Sequence, residues 1–128
     1  MTPRVLVLDN DSSLAELLEL ALGRGGCEAR VHRRAETAEA ELRREGADFL
    51  VLDLNLGGGH SGERLARRWA EEGILPPFLL LTGTPEDPRL AGLVDLPGFH
   101  GVQAKPFSIL ALVETIRGVC ASIGEARA

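Results

Sequence analysis

The sequence has little cysteine, no tyrosine and no long apolar run. Its two cysteines, Cys27 and Cys120, stand far apart and without metal-type spacing. That excludes a disulfide-built scaffold and a cysteine zinc site, and reads as two reduced, buried thiols of a cytosolic protein. No apolar stretch approaches the ~20 residues of a membrane span. No N-terminal signal is expected, since Met1-Thr2-Pro3-Arg4 leads straight into the first apolar run. Positive charge is also in short supply. Lys and Arg number 14 against 19 Asp and Glu, a net charge of −5. A nucleic-acid surface needs a basic patch, and the short pairs Arg33-Arg34 and Arg67-Arg68 read instead as solvated helix faces or ends. Repeats and linkers are missing as well. The 128 residues are expected to form one cytoplasmic domain over 1–122, with a short tail over 123–128 that is frayed from Gly124 to Ala128. A monomer or weak homodimer without nucleic-acid or membrane partners follows from the same reading.

What is present is organised around Phe49-Leu50-Val51-Leu52-Asp53. Four apolar residues followed by one carboxylate describe a strand buried on both faces of a parallel sheet. Asp53 then sits at the strand's C-terminal tip, where open α/β sheets place their chemistry. Val5 to Leu8 ends in the same way at Asp9, Phe78 to Leu81 at Thr82, and Val102 to Ala104 at Lys105. Three oxygen-bearing tips and one ammonium at a single sheet edge suit a phosphate and a hard metal ion.

Between these runs the spacing turns helical. Leu14, Leu17, Leu18, Ala21 and Leu22 recur at helical intervals, with Ser12 or Ser13 as N-cap and Gly25-Gly26 as the stop. Ala29 to His32 alternates like an edge strand, and Ala35 to Glu45 reads as a second helix. A loop over 54–61 leads to a third helix from about Gly62 to Glu72, with Leu65, Ala66 and core Trp69 on one face. Asp87-Pro88 supplies a cap and first-turn proline for a fourth helix, cut short by Gly92 and Pro97-Gly98. A fifth strand over Gly101 to Ala104 precedes a last helix with the stripe Leu112, Val113, Ile116 and Val119. Strand–helix alternation implies a flavodoxin-like, doubly wound α/β fold, with five parallel strands in order 2-1-3-4-5 and five helices.

The four strand tips, in this order, resemble the receiver domain of bacterial two-component response regulators. The matching stretches are Val-Leu-Val-Leu-Asp9-Asn10-Asp11, Leu-Val-Leu-Asp53, Leu-Leu-Leu-Thr82-Gly83 and Lys105-Pro106-Phe107. The resemblance covers nearly the whole chain and points to a stand-alone regulator of the chemotaxis type. It implies that Asp53 accepts a phosphoryl group from a sensor histidine kinase or histidine phosphotransfer protein. Asp9, Asn10, Asp53 and the backbone carbonyl of Asn55 would then hold Mg²⁺. Thr82 and Lys105 would bind the phosphoryl, with Asp11, Gly83 and Pro106 in support, and the product would signal to a downstream protein target. Such a chain is a phosphoacceptor that assists its own phosphorylation and dephosphorylation, not a conventional enzyme.

The chain departs from the family pattern in three places. Asn10 stands where a second aspartate is usual, one negative charge fewer for the metal. The loop carrying Gly57-Gly58-Gly59-His60 is about one residue longer than the usual form and lacks its proline, and it brings His60 within reach of a phosphoryl on Asp53. Val102 replaces the aromatic that swings inward on activation, and no tyrosine elsewhere can stand in. Two alternatives follow. One is a pseudo-receiver, a folded interaction module that works without phosphorylation. The other is a haloacid-dehalogenase-like phosphohydrolase with Asp9 as nucleophile, which requires a further acidic pair at a strand end beyond Lys105.

Overall fold

A computed structural model describes residues 2–127. Strands β1 (Arg4–Leu8), β2 (Glu28–His32) and β3 (Phe49–Asp53) alternate with helices α1 (Ser12–Arg24) and α2 (Ala35–Arg44). A small hairpin, β4 (Asn55–Gly57) and β5 (His60–Ser61), leads into α3 (Gly62–Glu71). Then come β6 (Phe78–Thr82), a 3₁₀ turn (Pro88–Gly92), β7 (Phe99–Ala104) and α4 (Ile109–Arg127). The main sheet runs β2-β1-β3-β6-β7, and every pairing in it is parallel. Counted without the hairpin, this is the expected 2-1-3-4-5 order.

The apolar runs are continuous because the sheet is covered on both faces. Leu6, Leu8, Leu50, Leu52, Phe78 and Leu80 pack with Leu42 of α2 and Leu65, Ala66 and Trp69 of α3. Val5, Val7, Phe49, Val51, Leu79 and Leu81 point the other way, against Leu18 and Leu22 of α1 and Leu112, Val113 and Ile116 of α4. The period-2 alternation of side chains thus feeds two cores at once. Each such side chain contributes about 1.5–3 kcal/mol on burial, enough in sum to fix the strand tips. Trp69 is core as expected, and its indole Nε1–H donates to Glu39 Oε1 at 2.7 Å.

Four expectations need correction. Among the described residues there are four α-helices, and the expected fourth is only the 3₁₀ turn. Asp87 does cap it, accepting from Arg89 N at 2.9 Å, and Pro88 does open it. A strong start does not lengthen an element, and a segment bounded by Gly92 and Pro97-Gly98 is too short to repay α-helix nucleation. Helix α1 is capped by Asp11, whose Oδ1 accepts from Leu14 N at 3.2 Å, so Ser12 and Ser13 fall inside the first turn. The stretch after Asp53 is a hairpin rather than an open loop. Its turn places Gly57, Gly58 and Gly59 at φ 72, 59 and 81°, a left-handed path that side-chain-bearing residues rarely take. Finally, α4 continues through Gly124 to Arg127, so that stretch is helical where a frayed tail was expected, and Ala128 lies outside the described residues. No helix of the described residues is long and apolar enough to cross a membrane.

Candidate functional site

Parallel register carries the four tips to one edge. Leu8 pairs with Leu52, so Asp9 follows β1 beside Asp53 at the end of β3. Asp53 pairs with Leu81, and Thr82 with Ala104, which sets Lys105 immediately beyond β7. Asp9, Asp53 and Thr82 are buried, at 0%, 4% and 0% exposure. Lys105 Nζ lies 3.1 Å from Asp9 Oδ2 and 3.3 Å from Asp53 Oδ2, bridging the two carboxylates. The second oxygen of each acid is held by backbone. Asp11 N–H donates to Asp9 Oδ1 at 2.9 Å, and Asn55 N–H to Asp53 Oδ1 at 3.2 Å.

This crowding sets the electrostatics. Burial first, and then the neighbouring charge of Asp9, push the Asp53 carboxyl up to about 6, against the opposing pull of Lys105. For Lys105, burial works against the ammonium, but the carboxylates of Asp53 and Asp9 outweigh it and raise its pKa. Two buried acids sharing one cation remain short of positive charge, which is what a divalent ion would supply.

The remaining expected residues fall around this triad. The Thr82 hydroxyl is engaged by Thr84, whose N–H donates to it at 3.0 Å and whose hydroxyl lies 3.1 Å away. Gly83 is exposed, with open space where a side chain would project. Pro106 is exposed and joined to Lys105 by a cis peptide bond. Asn10 is exposed beside the hairpin, its Nδ2 3.5 Å from where a Cβ on Gly57 would stand. The Asp11 carboxylate caps α1, so its support for the site runs through its backbone N–H to Asp9. His60 pairs instead with Glu36, Nε2 to Oε1 3.4 Å, which ties the hairpin to α2. Val102 lies on β7 and is 38% exposed.

Two groups here have no visible sequence signal. Thr84 is one. The other is Arg89, whose Nη2 donates to Asn55 Oδ1 at 3.0 Å and to Asp87 Oδ2 at 2.7 Å. The Arg89–Asn55 contact spans 34 positions and crosses from the 3₁₀ turn to the segment after Asp53, and no local spacing pattern reports it.

The donor set passes the test for Mg²⁺. No cluster of three or more His, Cys, Asp or Glu that could hold a metal occurs among the described residues. Mg²⁺ is typically held by one or two carboxylates and completes its shell with waters and phosphate oxygens. Asp9 and Asp53, buried side by side on Lys105, supply the two carboxylates such a set needs.

Comparison with known proteins agrees with this geometry. The family model of the response regulator receiver domain matches residues 5–117. The chain is 33% identical over 117 residues to the transcriptional regulatory protein TrcR of Mycobacterium tuberculosis, covering 91% of this chain and 44% of TrcR. It is 33% identical over 115 residues to the sensory transduction protein RegX3 of Mycolicibacterium smegmatis, covering 90% of this chain and 49% of that protein. The chain therefore spans about half the length of these curated relatives. The fold matches a CheY-like receiver domain protein from Methanospirillum hungatei with a TM-score of 0.87 at 17% identity, over 98% of this chain and 99% of that one. It matches the receiver domain of the Francisella response regulator 1452 with a TM-score of 0.82 at 22% identity, over 94% and 98%.

Proposed function

This chain belongs to the response regulator receiver family of two-component signalling, and from that premise we propose that Asp53 is its phosphoacceptor, working with Mg²⁺. The observation that carries the reading is the single ammonium of Lys105 shared between two buried carboxylates at the end of the sheet. In the transfer, a lone pair of an Asp53 carboxylate oxygen attacks phosphorus. The phosphorus–nitrogen bond of a phosphohistidine on the sensor kinase or phosphotransfer protein breaks, and the imidazole leaves with that electron pair. The new acyl phosphate returns to carboxylate when a water oxygen attacks phosphorus, the bond to Asp53 breaks, and the water's proton passes to phosphate or solvent.

Each residue has a physical task. Asp53 is held for attack by its strand and by the Asn55 N–H. Lys105 keeps the acid ionised enough to attack and then follows the charge onto the phosphoryl oxygens. Thr82 offers its hydroxyl to a phosphoryl oxygen once one is present, exchanging Thr84 for it. Asp9, Asn10, Asp53 and the Asn55 carbonyl would hold Mg²⁺, which would supply neutralisation of phosphoryl charge. Asp11, Gly83 and Pro106 support by holding Asp9, leaving the approach open and setting the chain after Lys105. The signal then passes by protein contacts to a downstream target. The hydrolase alternative lacks its frame: no strand follows Lys105 among the described residues, and Glu114, an acid beyond it, lies in α4.

Incubation with acetyl phosphate and Mg²⁺, read by intact mass, should add one phosphoryl group. Asp53→Asn should abolish the gain. Modification mapped to Asp9 with Asp53 untouched would overturn the reading.

A further inference from the structure

Arg89 sits one residue away from the acceptor through Asn55. The Asn55 N–H donates to Asp53 Oδ1, and the Asn55 side-chain oxygen accepts from Arg89 Nη2. The guanidinium is half-covered rather than buried, with 39% of its side chain exposed. Asp87 holds it in place, accepting from Nε at 3.1 Å on one oxygen and from Nη2 at 2.7 Å on the other. Glu63 of α3 adds a further negative charge nearby. Arg89 is therefore a cation parked on neighbouring carboxylates at the rim of the site, carried by the short 3₁₀ turn.

We infer that Arg89 is an additional phosphoryl-binding residue that couples Asp53 to the 3₁₀ turn; this rests on Asp53 being the acceptor. Phosphorylation places roughly −1.5 to −2 charges beside Asn55. A guanidinium fork matches phosphoryl oxygens better than a single amide oxygen. Arg89 exchanges the Asn55 side chain for the phosphoryl group and draws Pro88–Gly92 with it. The turn is suited to move, because it is short and contributes only Leu90 and, just beyond it, Leu93 to the core. With Val102 in place of a ring, this arginine supplies a link from site to surface that needs no aromatic swing.

The partner set gives a test with opposite signs. Beryllofluoride with Mg²⁺ serves as the phosphoryl mimic, titrated by calorimetry. Arg89→Ala should weaken its binding about fivefold, the effect of one half-exposed charge-assisted hydrogen bond, and Arg89→Lys should recover part of the loss. Asp87→Asn keeps an oxygen to cap the turn but removes the competing charge, so it should tighten binding. A purely structural role for the pair would loosen the turn in both variants and weaken binding in both, which would overturn the inference. Hydrogen exchange should show residues 87–101 gaining protection with the mimic in the parent protein and not in Arg89→Ala. If Asp53 accepts a phosphoryl group but Arg89→Ala binds the mimic as the parent does, the arginine link alone fails. If the parent neither binds the mimic nor gains a phosphoryl group, the acceptor assignment fails and takes this inference with it.

Discussion

Lys105 and Asp9 meet across 96 positions of sequence, Nζ to Oδ2 at 3.1 Å. The contact ties the sheet edge together electrically, because the same ammonium also pairs with Asp53 at 3.3 Å. Removing the cation leaves two buried acids facing each other. Breaking a buried pair from one side costs about 3–5 kcal/mol, and the partial exposure of Lys105 lowers that.

Lys105→Met should therefore lose about 2 kcal/mol of stability at pH 7. The loss should shrink as pH falls, because without the ammonium Asp53 protonates still more readily. Mg²⁺ should restore part of it at pH 7. Urea denaturation at pH 7 and pH 5 checks this, and a loss independent of both pH and Mg²⁺ would mean that Lys105 matters only by packing.

Asp53→Asn should stabilise the metal-free protein at neutral pH. Burial first, and then the charge of Asp9, push its carboxyl from 3.8 up to about 6 in the folded state. A raised carboxyl pKa means that the folded state holds the proton more tightly than the unfolded chain. Its contribution to stability is fully present below the unfolded value and is lost as pH rises through the folded one. At pH 7 the ionised, buried group thus costs on the order of 2–3 kcal/mol relative to a neutral one. The variant should be more stable by about that amount at pH 7 and show no advantage below about pH 4. Denaturation in chelator across pH 4–7 measures it, and a variant no more stable than the parent at pH 7 would contradict the account.

The sheet and four of its site residues were legible because parallel strands buried on both faces must be written as unbroken apolar runs. A polar residue ending such a run is conspicuous, as Asp9, Asp53, Thr82 and Lys105 all are. What stayed hidden depends on competition or distance. Ser12 and Ser13 read as the cap of α1, but Asp11, an equally good cap one residue earlier, takes that place. Asp87-Pro88 announces where a helix starts and says nothing of its length, so five residues of 3₁₀ turn passed for a helix. Arg89 near Asn55 and His60 on Glu36 are tertiary pairings of exposed polar side chains, which leave no periodic trace.

Asn10→Asp should tighten Mg²⁺ binding. The substitution adds a full negative charge to a set with two carboxylates, and the Coulombic gain toward a divalent ion near solvent corresponds to about tenfold in affinity. Calorimetry is the direct measurement. Equal affinities would show that position 10 does not contact the metal.

Gly62→Ala probes how the backbone of Asp53 is placed. Gly62 opens α3, and its N–H donates to Leu54 O at 2.8 Å. A Cβ here would collide with the carbonyl oxygen of Asp53 and stand 3.1 Å from its carbonyl carbon and from Leu54 Cα. The need is for space, since Gly62 is not among the positive-φ glycines. Backbone cannot rotate away as a side-chain tip can, so α3 or the end of β3 must shift. Overpacking of this kind costs about 1–3 kcal/mol, against the few tenths to ~1 kcal/mol that alanine gains over glycine in a helix. Gly118 is the control: it lies within α4 with nothing within 4 Å of its added Cβ. Gly118→Ala should stabilise by about 0.5–1 kcal/mol and leave phosphoryl uptake unchanged. Gly62→Ala should destabilise and slow uptake from acetyl phosphate by roughly tenfold or more, because small displacements of an attacking group are costly. If Gly62→Ala matched the parent in both urea stability and uptake, close packing of α3 beneath Asp53 would not be what positions the acceptor.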